Sequence, residues 1–215
     1  MAKSPETRRD VEPAPIAGLI LAAGMSRRLG RPKQLLLIDN KPLLAHVVER
    51  ALRARLDVVT VIVGHEAEAG RSAISPYDVE VSVNARFAEG QSTSLLSGVN
   101  ALPADIDAAV VMLADQPGIR VAAIDALIEA RRTTRAPIVM TMYGDFRSHP
   151  VLFGREMFDA LREISGDKGA REVIQTYGDQ VAVVEDGRPA PPADVDTDEA
   201  YAAMRRDGLP DIHTG

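Results

Sequence analysis

The run Ile16-Ala17-Gly18-Leu19-Ile20-Leu21-Ala22, continued by Ala23-Gly24-Met25-Ser26-Arg27-Arg28-Leu29-Gly30-Arg31-Pro32-Lys33, decides the fold. Its first part is short, almost wholly apolar and leads into a glycine, the pattern of a strand covered on both faces. Similar runs recur at 58–63, 79–83, 108–113, 138–142 and 181–184. Between them lie stretches of helical period. Residues 42–55 place Leu44, Val47, Val48, Ala51 and Leu52 on one stripe, with Pro42 suited to the first turn. Residues 121–131 repeat this with Ile124, Leu127 and Ile128, and 156–164 with Met157, Phe158, Leu161 and Ile164. A last helix is predicted from Thr197 to Arg206, capped by Asp196 or Thr197. Strand–helix alternation implies right-handed crossovers and a mostly parallel central sheet with helices on both faces. The expected architecture is a single three-layer α/β domain over residues 16–206, after a disordered leader (1–15) and before a flexible tail (207–215). Ligands in such sheets bind beyond the carboxyl ends of the strands, so residues just after each apolar run are the candidates for function.

Bulk properties set the outer limits. A length of 215 residues suits one large domain, and 46% hydrophobic residues supply a substantial core. Tryptophan is absent and aromatics are few, so packing rests on Val, Leu, Ile, Ala and Met. The lack of cysteine excludes disulfides and thiolate metal sites and fits a reducing compartment. No apolar run approaches the length of a membrane span and the start has no signal-peptide pattern, so a soluble cytoplasmic protein is expected. The net charge of −6 gives no general attraction for nucleic acid. A phosphate-bearing ligand therefore needs a local cationic pocket.

One is visible in the first loop. Glycine lets backbone N–H groups approach a phosphate, and Arg27, Arg28, Arg31 and Lys33 offset its charge. The common nucleotide loops fail on spacing: Ser26 stands where a dinucleotide fingerprint needs its second glycine, and Lys33 is followed by Gln34 rather than by the Ser or Thr of a P-loop. A solvated basic turn is the plain alternative. The string Leu21-Ala22-Ala23-Gly24-x-Ser26-x-Arg28-x-Gly30-x-Pro32-Lys33 resembles the signature of nucleotidyltransferases with a GT-A-like, Rossmann-like α/β fold. That resemblance implies a loop wrapped around a nucleoside triphosphate. Arg28 would hold the β- and γ-phosphates, and Lys33 would neutralise charge at the α-phosphate and the leaving pyrophosphate. Arg27 and Arg31 fall at variable positions and are expected to be exposed.

Other strand ends add to this. Asp115, in Leu113-Ala114-Asp115-Gln116-Pro117, suits Mg²⁺ or starts a turn before proline. The resemblance implies the metal-binding role, because the family carries its aspartate in an Asp-x-Pro context. The stretch Gly90-Gln91-Ser92-Thr93-Ser94-Leu95 leads into a helix, where its hydroxyls cap or bind a ligand. It resembles the base- and ribose-contacting loop of one branch, the molybdenum cofactor cytidylyltransferases and their MobA-like relatives. Gly64 and Asn84, at neighbouring strand ends, are expected to line the same nucleotide pocket. Arg147-Ser148-His149-Pro150-Val151 and Gly166-Asp167-Lys168-Gly169-Ala170-Arg171 resemble the acceptor-side segments of that branch, which points to His149, Asp167 and Arg171. A histidine before proline also serves as a structural residue, and Lys168 and Arg171 also suit helix ion pairs. Asp194-Val195-Asp196-Thr197 resembles the family's closing segment, which caps the last helix; a second metal ligand there is a weaker reading. Ser148, Asp198 and Asn40 depart from the usual pattern, Asn40 at a tight turn that asparagine tolerates.

The resemblance implies transfer of CMP from CTP, with Mg²⁺, to the terminal phosphate of molybdopterin, for a molybdenum enzyme as recipient. CTP is expected over GTP because guanylyltransferase relatives carry a more glycine-rich loop. A sugar phosphate or other phosphorylated metabolite is the alternative acceptor, and a noncatalytic cofactor carrier is the alternative class.

Overall fold

The computed structural model describes residues 13–166 and 169–209. Its strands are β1 (Ile16–Ala22), β2 (Leu37–Ile38), β3 (Lys41–Pro42), β4 (Val58–Val63), β5 (Glu80–Val83), β6 (Ala108–Leu113), β7 (Ile138–Tyr143), β8 (Phe146–Gly154) and β9 (Val181–Glu185). Its helices are α1 (Leu43–Arg53), α2 (Ala67–Ile74), α3 (Gln91–Ala101), α4 (Val121–Thr134), α5 (Phe158–Glu163), α6 (Arg171–Thr176) and α7 (Asp198–Asp207). Seven strands form one sheet in the order β5-β4-β1-β6-β8-β7-β9, and β2 and β3 pair separately. All neighbours in the large sheet are parallel except those of β8, which runs against β6 and β7.

The mostly parallel sheet follows from the apolar runs. Along β1, Ile16, Ile20 and Ala22 face a layer with Leu44 and Val48 of α1, Ile74 of α2 and Leu127 of α4. Ala17 and Leu19 face the other layer, with Leu95 of α3, Phe158 of α5 and Val173 of α6. A strand flanked by helices on both faces has no polar side, which is why its sequence does not alternate. A third, smaller cluster joins Leu36, Ile38 and Leu43 to Val195, with Tyr201 and Met204 of α7 packed against it. Among the described residues no helix is long and apolar enough to cross a membrane.

The structure departs from the sequence expectations in three places. β8 lies outside the expected apolar runs and carries Pro150, a residue sheet interiors disfavour; the register with β7 shifts between Met140 and Thr141, and His149 and Pro150 fall in that irregularity. Pro42 belongs to β3 with an extended ψ of 145°, so α1 starts one residue later. α2 and α6 are too short to show a helical period. Asn40 does adopt the left-handed backbone (φ 59°). Thr197 rather than Asp196 caps α7, its hydroxyl accepting the Ala200 N–H at 3.2 Å. Of the expected leader only residues 13–15 are described, with the Pro15 carbonyl accepting the Asp107 N–H. Of the expected tail, Asp207 still belongs to α7 and partly buried Leu209 packs on the third cluster; residues 210–215 lie outside the described part.

Candidate active site

β1, β4 and β6 end side by side, and each hands its chain to a loop at the same edge of the sheet. After β1 the chain turns at Ser26, a non-glycine residue in the left-handed region (φ 52°) whose carbonyl accepts the N–H groups of both Leu29 and Gly30. The Ser26 hydroxyl accepts the Lys33 N–H at 2.9 Å, closing the loop on itself. Strain of this kind persists where the surroundings over-determine it. The loop delivers Lys33 to the end of β6, where its ammonium bonds Asp115 and, at 2.6 Å, Asp196. Arg28 holds the other Asp196 oxygen at 2.5 Å.

Two backbone contacts bring these groups together. The Ala114 N–H donates to the Leu21 carbonyl, and the Val195 N–H donates to the carbonyl of Asp115 itself. Val195 is fully buried in the third cluster, so the 194–196 segment is anchored beside β6 by an apolar side chain. Burial pulls the Lys33 ammonium down, but the charge and hydrogen bond of Asp115, with those of Asp196, outweigh it and leave Lys33 above its ordinary value. Its hydrogen bond to Lys33 holds Asp196 below the usual carboxylate range, aided by Arg28. Burial raises Asp194, which Gln116 partly opposes by donating its amide at 2.7 Å; Asp115 and Asp196 add to the rise.

A cavity of about 320 Å³ opens beside this cluster, lined by residues 21–27, 33–34, 87–88, 90–91, Ser94 and 113–115. Of the expected nucleotide-binding residues, Leu21, Ala22, Ala23, Gly24, Ser26, Gly90 and Ser94 line it. Gly64, Asn84 and Ser92 do not. Gly64 lies beneath the floor, where a Cβ would come within 2.7 Å of the Cβ atoms of both Ala23 and Phe87. Asn84 is buried; its amide donates to the Thr93 and Ser94 hydroxyls and its oxygen accepts the Arg86 N–H, tying the end of β5 to the start of α3. Ser92 is buried as well. These three support the cavity instead of facing it. Arg28 lines an adjoining cavity with Ser26, Arg27, Leu29, Lys33 and Asp196.

A second cleft of about 430 Å³ shares Leu21, Gln91 and Leu113 with the first. It holds His149 and Arg171, both expected on the acceptor side. Asp167, the third, lies outside the described residues. Antiparallel β8 enters the sheet from the carboxyl edge, so Arg147, Ser148 and His149 reach the cleft from a strand start. The Tyr143 hydroxyl donates to the His149 carbonyl and the Thr141 hydroxyl to that of Pro150, fixing this segment.

The chain matches the MobA-like NTP transferase domain over residues 18–181. It belongs to the MobA-like NTP transferase family. It is 31% identical to the purine catabolism protein PucB of Bacillus subtilis over 200 residues, 89% of this chain and 96% of PucB. It is 30% identical to the nicotine blue oxidoreductase of Paenarthrobacter nicotinovorans, covering 86% of this chain and 93% of that one. Rv0371c of Mycobacterium tuberculosis superposes with a TM-score of 0.81 at 29% identity, covering 90% of this chain and all of that one. A complex of Rv0371c with manganese superposes with a TM-score of 0.78. The GT-A-like nucleotidyltransferase fold expected from the first loop is the one observed, and membership makes the chain a nucleotidyltransferase acting on a nucleoside triphosphate.

Sequence reasoning missed several residues of this MobA-like site. Gln34 is buried at the cavity wall, its amide donating to the His65 carbonyl, and it directly follows the Lys33 that closes the motif. Phe87, Gln91 and Arg27 also line the first cavity, and Gln116, Arg147 and Asp194 the second. Gln116 sits beside Asp115, which drew the attention, and Asp194 belongs to the closing segment read for a second metal ligand, not for the cleft; Phe87 carries no signal beyond its place after a strand. Asp115 and Asp196 converge on a single cation, the Lys33 ammonium. An all-oxygen pair of this kind fits a hard divalent ion that takes its other ligands from phosphate and water. Among the described residues no group of three or more His, Cys, Asp or Glu side chains is placed to hold a metal ion.

Proposed function

We propose that this protein transfers CMP from CTP to the terminal phosphate of a molybdopterin-type acceptor and releases pyrophosphate. One observation carries the reading: the loop-lined cavity and the second cleft meet at Leu21, Gln91 and Leu113, with the Lys33–Asp115–Asp196 cluster at the end of β6. A donor in the first cavity and an acceptor in the second would place the α-phosphorus between them. Backbone N–H groups of residues 22–26 hold the triphosphate, and Lys33 and Arg28 turn from their carboxylates to its oxygens. The acceptor phosphate oxygen attacks the α-phosphorus in line as pyrophosphate departs. That nucleophile is already anionic, so alignment and charge neutralisation suffice without a general base. Asp115 and Asp196 would hold Mg²⁺, which when bound neutralises phosphate charge. His149 and Arg171 face the acceptor, with Asp167 as a further candidate.

CTP is favoured because the loop begins Leu21-Ala22-Ala23-Gly24, as in the cytidylyltransferases it resembles, whereas guanylyltransferase relatives carry a more glycine-rich start. A flat heterocycle is favoured over a sugar because Leu95, Val111, Met140, Val151, Phe153 and Ile174 give the cleft an apolar wall. The test is pyrophosphate release with Mg²⁺, each of four nucleoside triphosphates, and either molybdopterin or a sugar 1-phosphate. Release with CTP and molybdopterin alone is the expected result. Turnover only with a sugar 1-phosphate moves the reading to that acceptor, and co-purified cofactor without turnover moves it to a carrier. A molybdenum enzyme is the expected recipient of the product.

A further inference from the structure

We infer that Arg27 is the cation that captures the terminal phosphates of the incoming nucleotide, an inference that rests on the nucleotidyltransferase reading of this site. The cations of the first loop are not equivalent. Arg28 is bound to Asp196, Arg31 to Asp198, and Lys33 to both Asp115 and Asp196. Arg31 also lies over the Tyr201 ring, on the side of α7. Arg27 has no ion-pair or hydrogen-bond partner among the described residues. Its exposed side chain lines both the 320 Å³ cavity and the adjoining 210 Å³ cavity that contains Lys33 and Asp196.

The charge balance gives this placement its consequence. The charges of Lys33 and Arg28 are matched by those of Asp115 and Asp196, so the cluster by itself offers little net attraction to a polyanion. Arg27 adds an unmatched positive charge at the cavity mouth, on a turn whose backbone is fixed by the two hydrogen bonds to the Ser26 carbonyl. A planar guanidinium suits bidentate binding of a phosphate. Arg27 therefore engages the terminal phosphates first, before Arg28 and Lys33 exchange their carboxylates for phosphate oxygens.

The experiment compares binding of CTP and CMP by calorimetry, without divalent metal, in wild type, Arg27→Ala and Arg27→Lys. Because Arg27 is exposed, all three proteins are expected to share one thermal melt, which is measured alongside. Arg27→Ala should weaken CTP binding about tenfold, the worth of one charge-assisted contact, and leave CMP unchanged. Arg27→Lys should recover part of the loss. Unchanged CTP affinity in Arg27→Ala overturns the inference, as does an equal loss for CMP and CTP, which would place the contact away from the terminal phosphates. A wild type that binds neither nucleotide, even when Mg²⁺ is added, overturns the CTP reading of this site and this inference with it.

Discussion

At the residue scale, Lys33 stands where opposite demands meet. It neutralises two carboxylates in the ligand-free protein, and the proposed chemistry needs the same ammonium on the triphosphate. Lys33→Ala should therefore lower pyrophosphate release on the order of 10²–10³-fold while the far-ultraviolet circular dichroism stays that of wild type. Retained turnover would remove Lys33 from the mechanism. The same substitution removes the cation shared by Asp115 and Asp196, leaving Arg28 on the outer oxygen of Asp196 alone. Binding of Mn²⁺ in the absence of nucleotide, read by electron paramagnetic resonance, should then tighten by about tenfold, in line with removing a unit charge a few ångströms away. Unchanged or weaker Mn²⁺ binding would show that Lys33 does not compete for the metal position.

At the element scale, the loops are held by contacts between strand ends rather than by their own sequence. Gly64, at the end of β4, lets Ala23 and Phe87 close over it. Gly64→Ala should cost about 1–3 kcal/mol in urea unfolding, because two Cβ atoms and a backbone segment must shift. It should also weaken CTP binding, since Ala23 and Phe87 both line the 320 Å³ cavity proposed for the donor. A variant with wild-type stability and CTP affinity would show that the floor yields freely. Further along the sheet, Asp186 follows β9 with its side chain fully buried between Arg120 and Arg188. Arg188 also donates to the Gly118 carbonyl and lies over the Tyr143 ring, which ties β9 to the segment before α4. Asp186→Ala should destabilise the domain by about 3 kcal/mol, because two confined guanidinium groups lose their counter-charge. A change below a few tenths of a kcal/mol would show that water replaces the carboxylate.

At the scale of the whole molecule, the second cleft writes itself into the acid stability of the fold. Burial lowers the His149 imidazole to about 4; the Asp115 charge opposes this and Arg171 adds to it. The unfolded chain takes up a proton near the ordinary value of 6.5 that the folded protein refuses until pH approaches 4. Stability attributable to His149 is thus complete above pH 6.5 and falls as pH drops toward 4. Melting temperatures between these limits should decline less steeply in His149→Gln than in wild type. Parallel slopes would show that the ring is hydrated and plays no part in acid unfolding.

The sequence by itself determined the alternation of strands and helices, the position of the first loop and the strand ends that carry Lys33 and Asp115. These are readable because apolar period and glycine spacing are local properties of the chain. Helix α7 was legible for the same reason, while its cap stayed open between Asp196 and Thr197 until the structure placed the Thr197 hydroxyl on the Ala200 N–H. The tertiary structure alone decided that Asp196, 163 residues from Lys33, shares its ammonium with Asp115. It also turned β8 antiparallel through Pro150, kept Gly64, Asn84 and Ser92 out of the cavity lining, and left Arg27 without an ion-pair partner among the described residues beside paired Arg28. Which side chains meet depends on the packing of distant segments, such as the burial of Val195 that carries Asp196 into place, and no local pattern records that.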